Sequence, residues 1–127
     1  MSPLHYAASS GEWFGRSVHL LIVAGANRDA TDRYGRTPLI CSFSPHSSKS
    51  DVIALINAGA NPNLQDSHGD FALRLAADDG LIDIVQKLLD AGANPNLQRN
   101  DGRTALMEAA LDNNVELARL LVLRGQT

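Results

Sequence analysis

Apolar residues recur along this chain in short stripes that fit pairs of helices. The clearest stripe lies in residues 82–89 and consists of four apolar residues at one-, three- and four-residue steps: Ile84, Val85, Leu88 and Leu89. Residues spaced in this way share one face of an α-helix, so the segment predicts a helix with one buried side. A shorter segment, Leu-Arg-Leu-Ala-Ala, precedes it at residues 73–77, and Gly80 separates the two. The pattern predicts two short helices joined by a tight turn.

This helix pair recurs at a fixed period. The tripeptide Gly-Ala-Asn begins at Gly25, Gly59 and Gly92, with spacings of 34 and 33 residues. The seven residues 59–65 are identical to residues 92–98. Such a period indicates a repeat array, in which each helix pair buries its apolar face by stacking on its neighbours.

Local signals mark the ends of the predicted helices. Thr37 and Thr104 each stand directly before a helical run, where a hydroxyl can cap the first turn. Phe71 occupies the corresponding position of the next period, and the lack of a capping hydroxyl there predicts a loss of about 1 kcal/mol. Gly92 follows the stripe of residues 82–89, as expected for a left-handed residue that ends a helix.

These residues resemble the ankyrin repeat, whose pattern is Asp-x-x-Gly-x-Thr-Pro-Leu-His-x-Ala-Ala-x-x-Gly followed by a second helix. The segment from Asp32 reads Asp-Arg-Tyr-Gly-Arg-Thr-Pro-Leu. The resemblance covers nearly the whole chain. It implies an all-α ankyrin-repeat solenoid of helix-turn-helix units with short β-hairpin loops, forming one domain over residues 1–127. The implied repeats cover about 1–31, 32–65, 66–98 and 99–127.

Three parts of the chain depart from the pattern. Repeat 2 has Cys41-Ser42-Phe43 where Ala-Ala is expected, followed by a polar turn, so we expect irregular geometry there. Repeat 1 carries Trp13 and Phe14 in an insertion, which either packs against a lengthened turn or forms an exposed anchor for a partner. The last helix has Leu120 and Leu123 where repeat 3 has polar residues, which predicts further repeats or end-to-end self-association at this end.

The resemblance also implies where a partner protein binds, namely the loop tips and the concave face of the first helices. The candidate partner-binding residues are Arg33, Tyr34, Arg36, Ser67, His68, Asp70, Asp78, Asp79, Asn100, Asp101, Arg103 and Asp112. The tip of repeat 2 is basic and aromatic, whereas the first helices of repeats 3 and 4 are acidic, with Glu108 among the acidic residues. We therefore hypothesise a partner with an acidic or aromatic portion near the first region and a basic portion near the second. The alternative is that these are ordinary solvated surface charges.

Composition narrows the classes of partner. The net charge is -3 and there is no basic run, so nucleic acid is not expected. No apolar stretch approaches the roughly 18 residues of a membrane span, so no membrane partner is expected either. The single cysteine, Cys41, excludes an internal disulfide and favours a reducing compartment, the cytoplasm or the nucleus.

Candidate chemistry is sparse. The four histidines lie in different segments and share no metal-ligand spacing with Cys41, and the adjacent Asp78 and Asp79 point in different directions on a helix. No phosphate loop is present. We therefore predict a non-catalytic scaffold with no metal and no cofactor. The alternatives are a targeting or regulatory segment of a larger enzyme or channel, or a self-associating structural array. The resemblance further implies that Asn63 or Asn96 is a candidate for asparagine hydroxylation.

Overall fold

Residues 25, 27–44 and 49–125 are described in the computed structural model of the protein. These residues form helices joined by turns, and none of them is in a β-strand. The helices of this part of the chain are α1 Pro38–Cys41, α2 Lys49–Asn57, α3 Ala72–Asp78, α4 Ile82–Asp90, α5 Ala105–Leu111 and α6 Val115–Gly125. The predictions for Trp13 and Phe14 fall outside the described residues.

The helices form two rows. The first helices of the repeats, α1, α3 and α5, contact one another in order, and each packs on the second helix that follows it. The predicted stripe of α4 is buried as expected, with Ile84, Val85 and Leu88 all at 0% exposure. Small residues let α3 and α5 approach closely, since Ala76 and Ala109 are also fully buried. Stacking of helix pairs therefore supplies the core that one pair alone lacks.

The helix starts follow the predicted caps. Thr37 Oγ1 accepts a hydrogen bond from the Ile40 N–H at 3.2 Å, and Thr104 Oγ1 accepts one from the Met107 N–H at 3.2 Å. Phe71 makes no such bond, as predicted, but its ring is buried at 1% exposure. The aromatic residue therefore replaces a capping hydrogen bond with buried apolar area, which is the larger contribution to stability.

The loops between repeats are tight turns that stack on one another. Each is closed by two backbone hydrogen bonds, as where the Asp66 N–H donates to the Asp70 carbonyl at 3.0 Å and the Gly69 N–H donates to the Asp66 carbonyl at 2.9 Å. Successive loops are joined by a further bond, from the Ser67 N–H to the Tyr34 carbonyl at 2.8 Å and from the Asn100 N–H to the His68 carbonyl at 3.1 Å. The hairpin tips that the resemblance implied are thus present as turns without strand pairing in the described residues.

Repeat 2 is irregular compared with repeats 3 and 4, as its sequence predicted. Helix α1 has four residues, whereas α3 and α5 have seven each. The shortening begins at Ser42, where the later repeats have alanine. Two different contacts between first helices result: the 2/3 junction, between α1 and α3, and the 3/4 junction, between α3 and α5.

Candidate functional site

The tip of repeat 2 presents an aromatic ring between two cations. Tyr34 is 49% exposed. The guanidinium carbons of Arg33 and Arg36 lie 5.4 Å and 5.0 Å from the centre of its ring, within the range of cation–π attraction. Sequence analysis grouped these three residues, and the structure brings them into contact.

Asp32 holds this tip in shape. Its carboxylate accepts hydrogen bonds from the backbone N–H groups of Tyr34 and Arg36 and from Arg36 Nε at 2.8 Å. Burial pushes the pKa of Asp32 upward, but these hydrogen bonds outweigh it and hold the pKa below its usual value. The Asp32 side chain is only 2% exposed, so the charge that this tip shows to solvent is positive.

The candidate residues at the tips of repeats 3 and 4 are exposed, with one exception. Ser67, His68, Asn100, Asp101 and Arg103 all lie at the surface. Asp70 does not have a free carboxylate, because Arg74 binds both of its oxygens, with Nη2–Oδ2 at 2.8 Å.

Arg74 belongs to a buried ionic network that sequence analysis did not identify. Its Nη1 lies 3.1 Å from Glu108 Oε1, and the two side chains are 7% and 4% exposed. Arg103 Nη1 also reaches this oxygen, at 3.3 Å. The hydrogen bond to Asp70 raises the pKa of Arg74 more than burial lowers it. Glu108, expected on the acidic surface, is therefore used inside the 3/4 junction.

The signal for this network was present in the sequence. Asp70 lies four residues before Arg74, and Glu108 lies 34 residues after it, a separation of about one repeat. Opposite charges four residues apart can meet at the start of a helix, and opposite charges one repeat apart can meet across neighbouring repeats. A search for charge pairs at the repeat period would have found them.

The remaining acidic candidates stay at the surface. Asp78 and Asp79 at the end of α3 and Asp112 after α5 are exposed. The pKa of Asp79 is raised, first by partial burial and then by the charge of Asp78, with Arg74 acting in the opposite direction. Negative charge is therefore concentrated at this end of α3.

Cys41 lies in the first helix of repeat 2, as predicted for a structural thiol. It is 7% exposed, and burial raises its pKa to about 11. A thiol that stays protonated at neutral pH is a poor nucleophile. Within residues 27–44 and 49–125, no group of three or more His, Cys, Asp and Glu side chains could hold a metal ion.

Asn63 links the loops of two repeats. Its Nδ2 donates to the Gly92 carbonyl at 3.0 Å, and its Oδ1 accepts from the Asn94 N–H at 2.7 Å. The side chain thus has a structural task in the stack, and hydroxylation of Asn63 or Asn96 stays a prediction.

Comparison with known families identifies the architecture. The family described as ankyrin repeats in three copies matches residues 46–127, and the single ankyrin repeat matches residues 1–33. The chain belongs to the ankyrin repeat family. Ankyrin repeats are generally protein-interaction modules. None of the helices in the described ranges is long and apolar enough to cross a membrane.

Two curated relatives are inversins. The chain is 36% identical over 88 residues to inversin of Danio rerio, an alignment that covers 68% of this chain and 8% of that protein. It is 40% identical over 80 residues to inversin of Mus musculus, which covers 62% of this chain and 7% of the relative. The chain thus spans less than a tenth of the length of either of these relatives.

Proposed function

We propose that this chain is a non-catalytic scaffold that binds a partner protein through its loop tips and the exposed face of its first helices. The observation that carries the proposal is the tip of repeat 2, where Tyr34 is exposed between Arg33 and Arg36. Tyrosine and arginine are the residue types most enriched at the energetic centres of interfaces. Asp32 fixes their loop beforehand, so little conformational entropy is lost on binding.

The charges suggest the chemistry of the partner. Arg33 and Arg36 favour an acidic or aromatic portion at the repeat 2 tip, and Asp78 and Asp79 favour a basic portion at the end of α3. The other candidates flank this path: Ser67, His68, Asn100, Asp101, Arg103 and Asp112. Asp70 contributes by positioning Arg74, not as a free carboxylate. The free thiol of Cys41 supports a reducing location, the cytoplasm or the nucleus.

A second candidate function is end-to-end association through the last repeat. Leu111 and Leu123 are each 70% exposed, and Val115 and Val122 are 57% and 45% exposed. All four residues belong to the last repeat, and exposed apolar surface of this kind is typical of a face that another unit covers. The much greater length of the inversins also supports the proposal that the array serves as one segment of a larger protein. Sedimentation of the purified chain over a range of concentrations tests self-association.

Affinity capture with quantitative mass spectrometry tests the main proposal. The wild-type chain is compared with a variant carrying Arg33→Glu, Tyr34→Ala and Asp78→Lys. The matched control carries Gln86→Ala and Lys87→Ala, which are exposed on α4, a second helix. A protein held by wild type and control but lost by the first variant supports the proposed surface. Equal retention by all three chains contradicts it.

A further inference from the structure

A cavity opens at the surface of the 2/3 junction. Its volume is ≈ 360 Å³, within the roughly 300–1,000 Å³ of typical ligand pockets. The residues that line it, among those that the structure describes, are Arg36, Ile40, Cys41, Phe43, Ser44, Asp70 and Leu75. This part of the wall is mainly apolar, with two charged groups on the side of the loops.

The corresponding positions of the 3/4 junction explain why the cavity exists. Counting from the start of each first helix, Ile40 corresponds to Arg74, and Leu75 corresponds to Glu108. Arg74 and Glu108 fill their junction with an ion pair of 3.1 Å. Ile40 and Leu75 have no charge to pair, and the four-residue α1 ends before it can cover the space between them.

The charged groups of the lining already have partners. Arg36 binds Asp32, and Asp70 binds Arg74. An apolar side chain that enters the cavity therefore displaces water from Ile40 and Leu75 without leaving an ion unpaired, which makes its burial favourable.

From this geometry we infer that the cavity receives one large aliphatic or aromatic side chain of an extended peptide segment in the partner. This inference rests on the proposed function and specifies its ligand. The segment runs along the junction, with an acidic residue beside Arg33 and Arg36 and a basic residue beside Asp78 and Asp79. The surface charge is positive at one end of the junction and negative at the other, which fixes the direction of the segment.

The dimensions of α3 set the spacing of the peptide motif. A helix of seven residues is about 10 Å long. An extended strand covers that length in about three to four residues. The acidic and basic residues of the partner should therefore lie about four residues apart, with the apolar residue between them.

A random library of 12-residue peptides displayed on phage provides the probe. It is selected on the immobilised wild-type chain, and the urea-denatured chain serves as the reference for enrichment. The expected result is a family of peptides with the order acidic, apolar, basic. Peptides that share the charges but no constant apolar position would overturn the cavity inference and leave the proposed function standing. No enrichment over the urea-denatured chain would overturn both.

Affinity measurements with one enriched peptide then test the cavity itself. Replacing the apolar residue of the peptide by alanine should weaken binding by roughly tenfold or more. The double variant Ile40→Arg with Leu75→Glu, which installs the pair of the 3/4 junction, should weaken binding of the original peptide to a similar extent. Met107→Arg is the matched control, because Met107 corresponds to Ile40 in repeat 4 and is 49% exposed. It should change the affinity less than twofold.

Circular dichroism shows whether the double variant folds. Leu75→Trp, whose indole should fill the cavity, tests the role of the cavity without introducing a buried charge. Equal affinity of wild type and Leu75→Trp for the enriched peptide would contradict the inference.

Discussion

At the 3/4 junction the first helices are joined by the buried pair of Arg74 and Glu108, whereas the 2/3 junction has Ile40 and Leu75 at the same positions. The first contact is filled by this ion pair. The second is apolar and open, and it lies beside the exposed tip formed by Arg33, Tyr34 and Arg36. One repeat pattern thus supports either a closed contact or an open one, depending on two side chains.

The comparison separates residues that stabilise the stack from residues available to a partner. Asp70, in the loop before α3, and Glu108, on α5, are both charged, yet both are used within the protein. Asp78 and Asp79 keep their charges at the surface. Position within the repeat therefore does not decide whether a charged residue binds a partner, and the charges on the neighbouring repeat must also be known.

The largest expected effect comes from breaking the ion pair. Arg74→Met leaves two carboxylates, those of Asp70 and Glu108, without their buried cation, and we expect it to lower the free energy of unfolding by about 3–5 kcal/mol. The double variant Arg74→Ile with Glu108→Leu copies the aliphatic pair of the 2/3 junction and leaves only Asp70 without its cation, so it should cost less, about 1–3 kcal/mol. Urea denaturation at neutral pH measures both. Equal losses for the two variants would show that the pair does not act as a unit.

Phe71 occupies the N-cap position before α3, the helix that both junctions share. Phe71→Thr restores the capping hydroxyl, worth about 1 kcal/mol, but removes a buried ring whose loss costs about 3–5 kcal/mol. We therefore expect a net destabilisation of about 2–4 kcal/mol in thermal or urea unfolding. A variant as stable as wild type would mean that the ring contributes little to the core.

The loops approach more closely at the 3/4 junction than at the 2/3 junction. A Cβ atom added to Gly69 would lie 2.6 Å from the backbone nitrogen of Asn100. A Cβ atom added to Gly35 would lie 3.2 Å from the backbone nitrogen of Ser67. Gly102→Ala is the control, because Gly102 has a positive φ of 86° but nothing within 4 Å of the added atom. Gly102→Ala should cost about 1 kcal/mol and Gly69→Ala about 2 kcal/mol or more, with Gly35→Ala between them. Equal melting temperatures for the three variants would exclude a steric difference between the loops.

The smallest expected effect is a pH dependence at the 2/3 junction. Burial raises the pKa of Cys41 from 9.0 to about 11, so the unfolded chain loses the thiol proton at lower pH than the folded chain. Loss of the thiol proton therefore favours the unfolded chain, and the free energy of unfolding should fall as pH rises from 9 to 11. At pH 10 the free energy of unfolding should be about 1 kcal/mol lower than at pH 8. Cys41→Ala should lack this component, and identical pH profiles for the two chains would contradict the burial of the thiol.

The fold was predictable because its signals are local and repeated. The stripe of α4 and the capping threonines depend on neighbours within a few residues, and the structure confirms them. The irregularity of repeat 2 was also visible in Ser42 and Phe43, which replace two alanines.

The interior of the junctions was harder to predict. A charged residue such as Arg74 on a short helix is usually solvated, and its burial depends on Glu108 in the next repeat. The cavity has no sequence motif of its own, because it arises where side chains fail to fill the space between α1 and α3. The twelve candidate residues stay a prediction, with Asp70 now placed in a structural ion pair.

Site-specific photocrosslinking tests the central claim most directly, namely that a partner protein lies on the 2/3 junction. Benzoylphenylalanine is introduced in place of Tyr34, the exposed ring beside the 2/3 junction, of Met107, or of Lys87 on α4, and each chain is irradiated in cell extract. We expect a crosslinked partner from the position of Tyr34, with the same protein in lower yield from the position of Met107 and absent from that of Lys87. Crosslinks to that protein in equal yield from all three positions, or from Lys87 alone, would contradict a partner on the 2/3 junction.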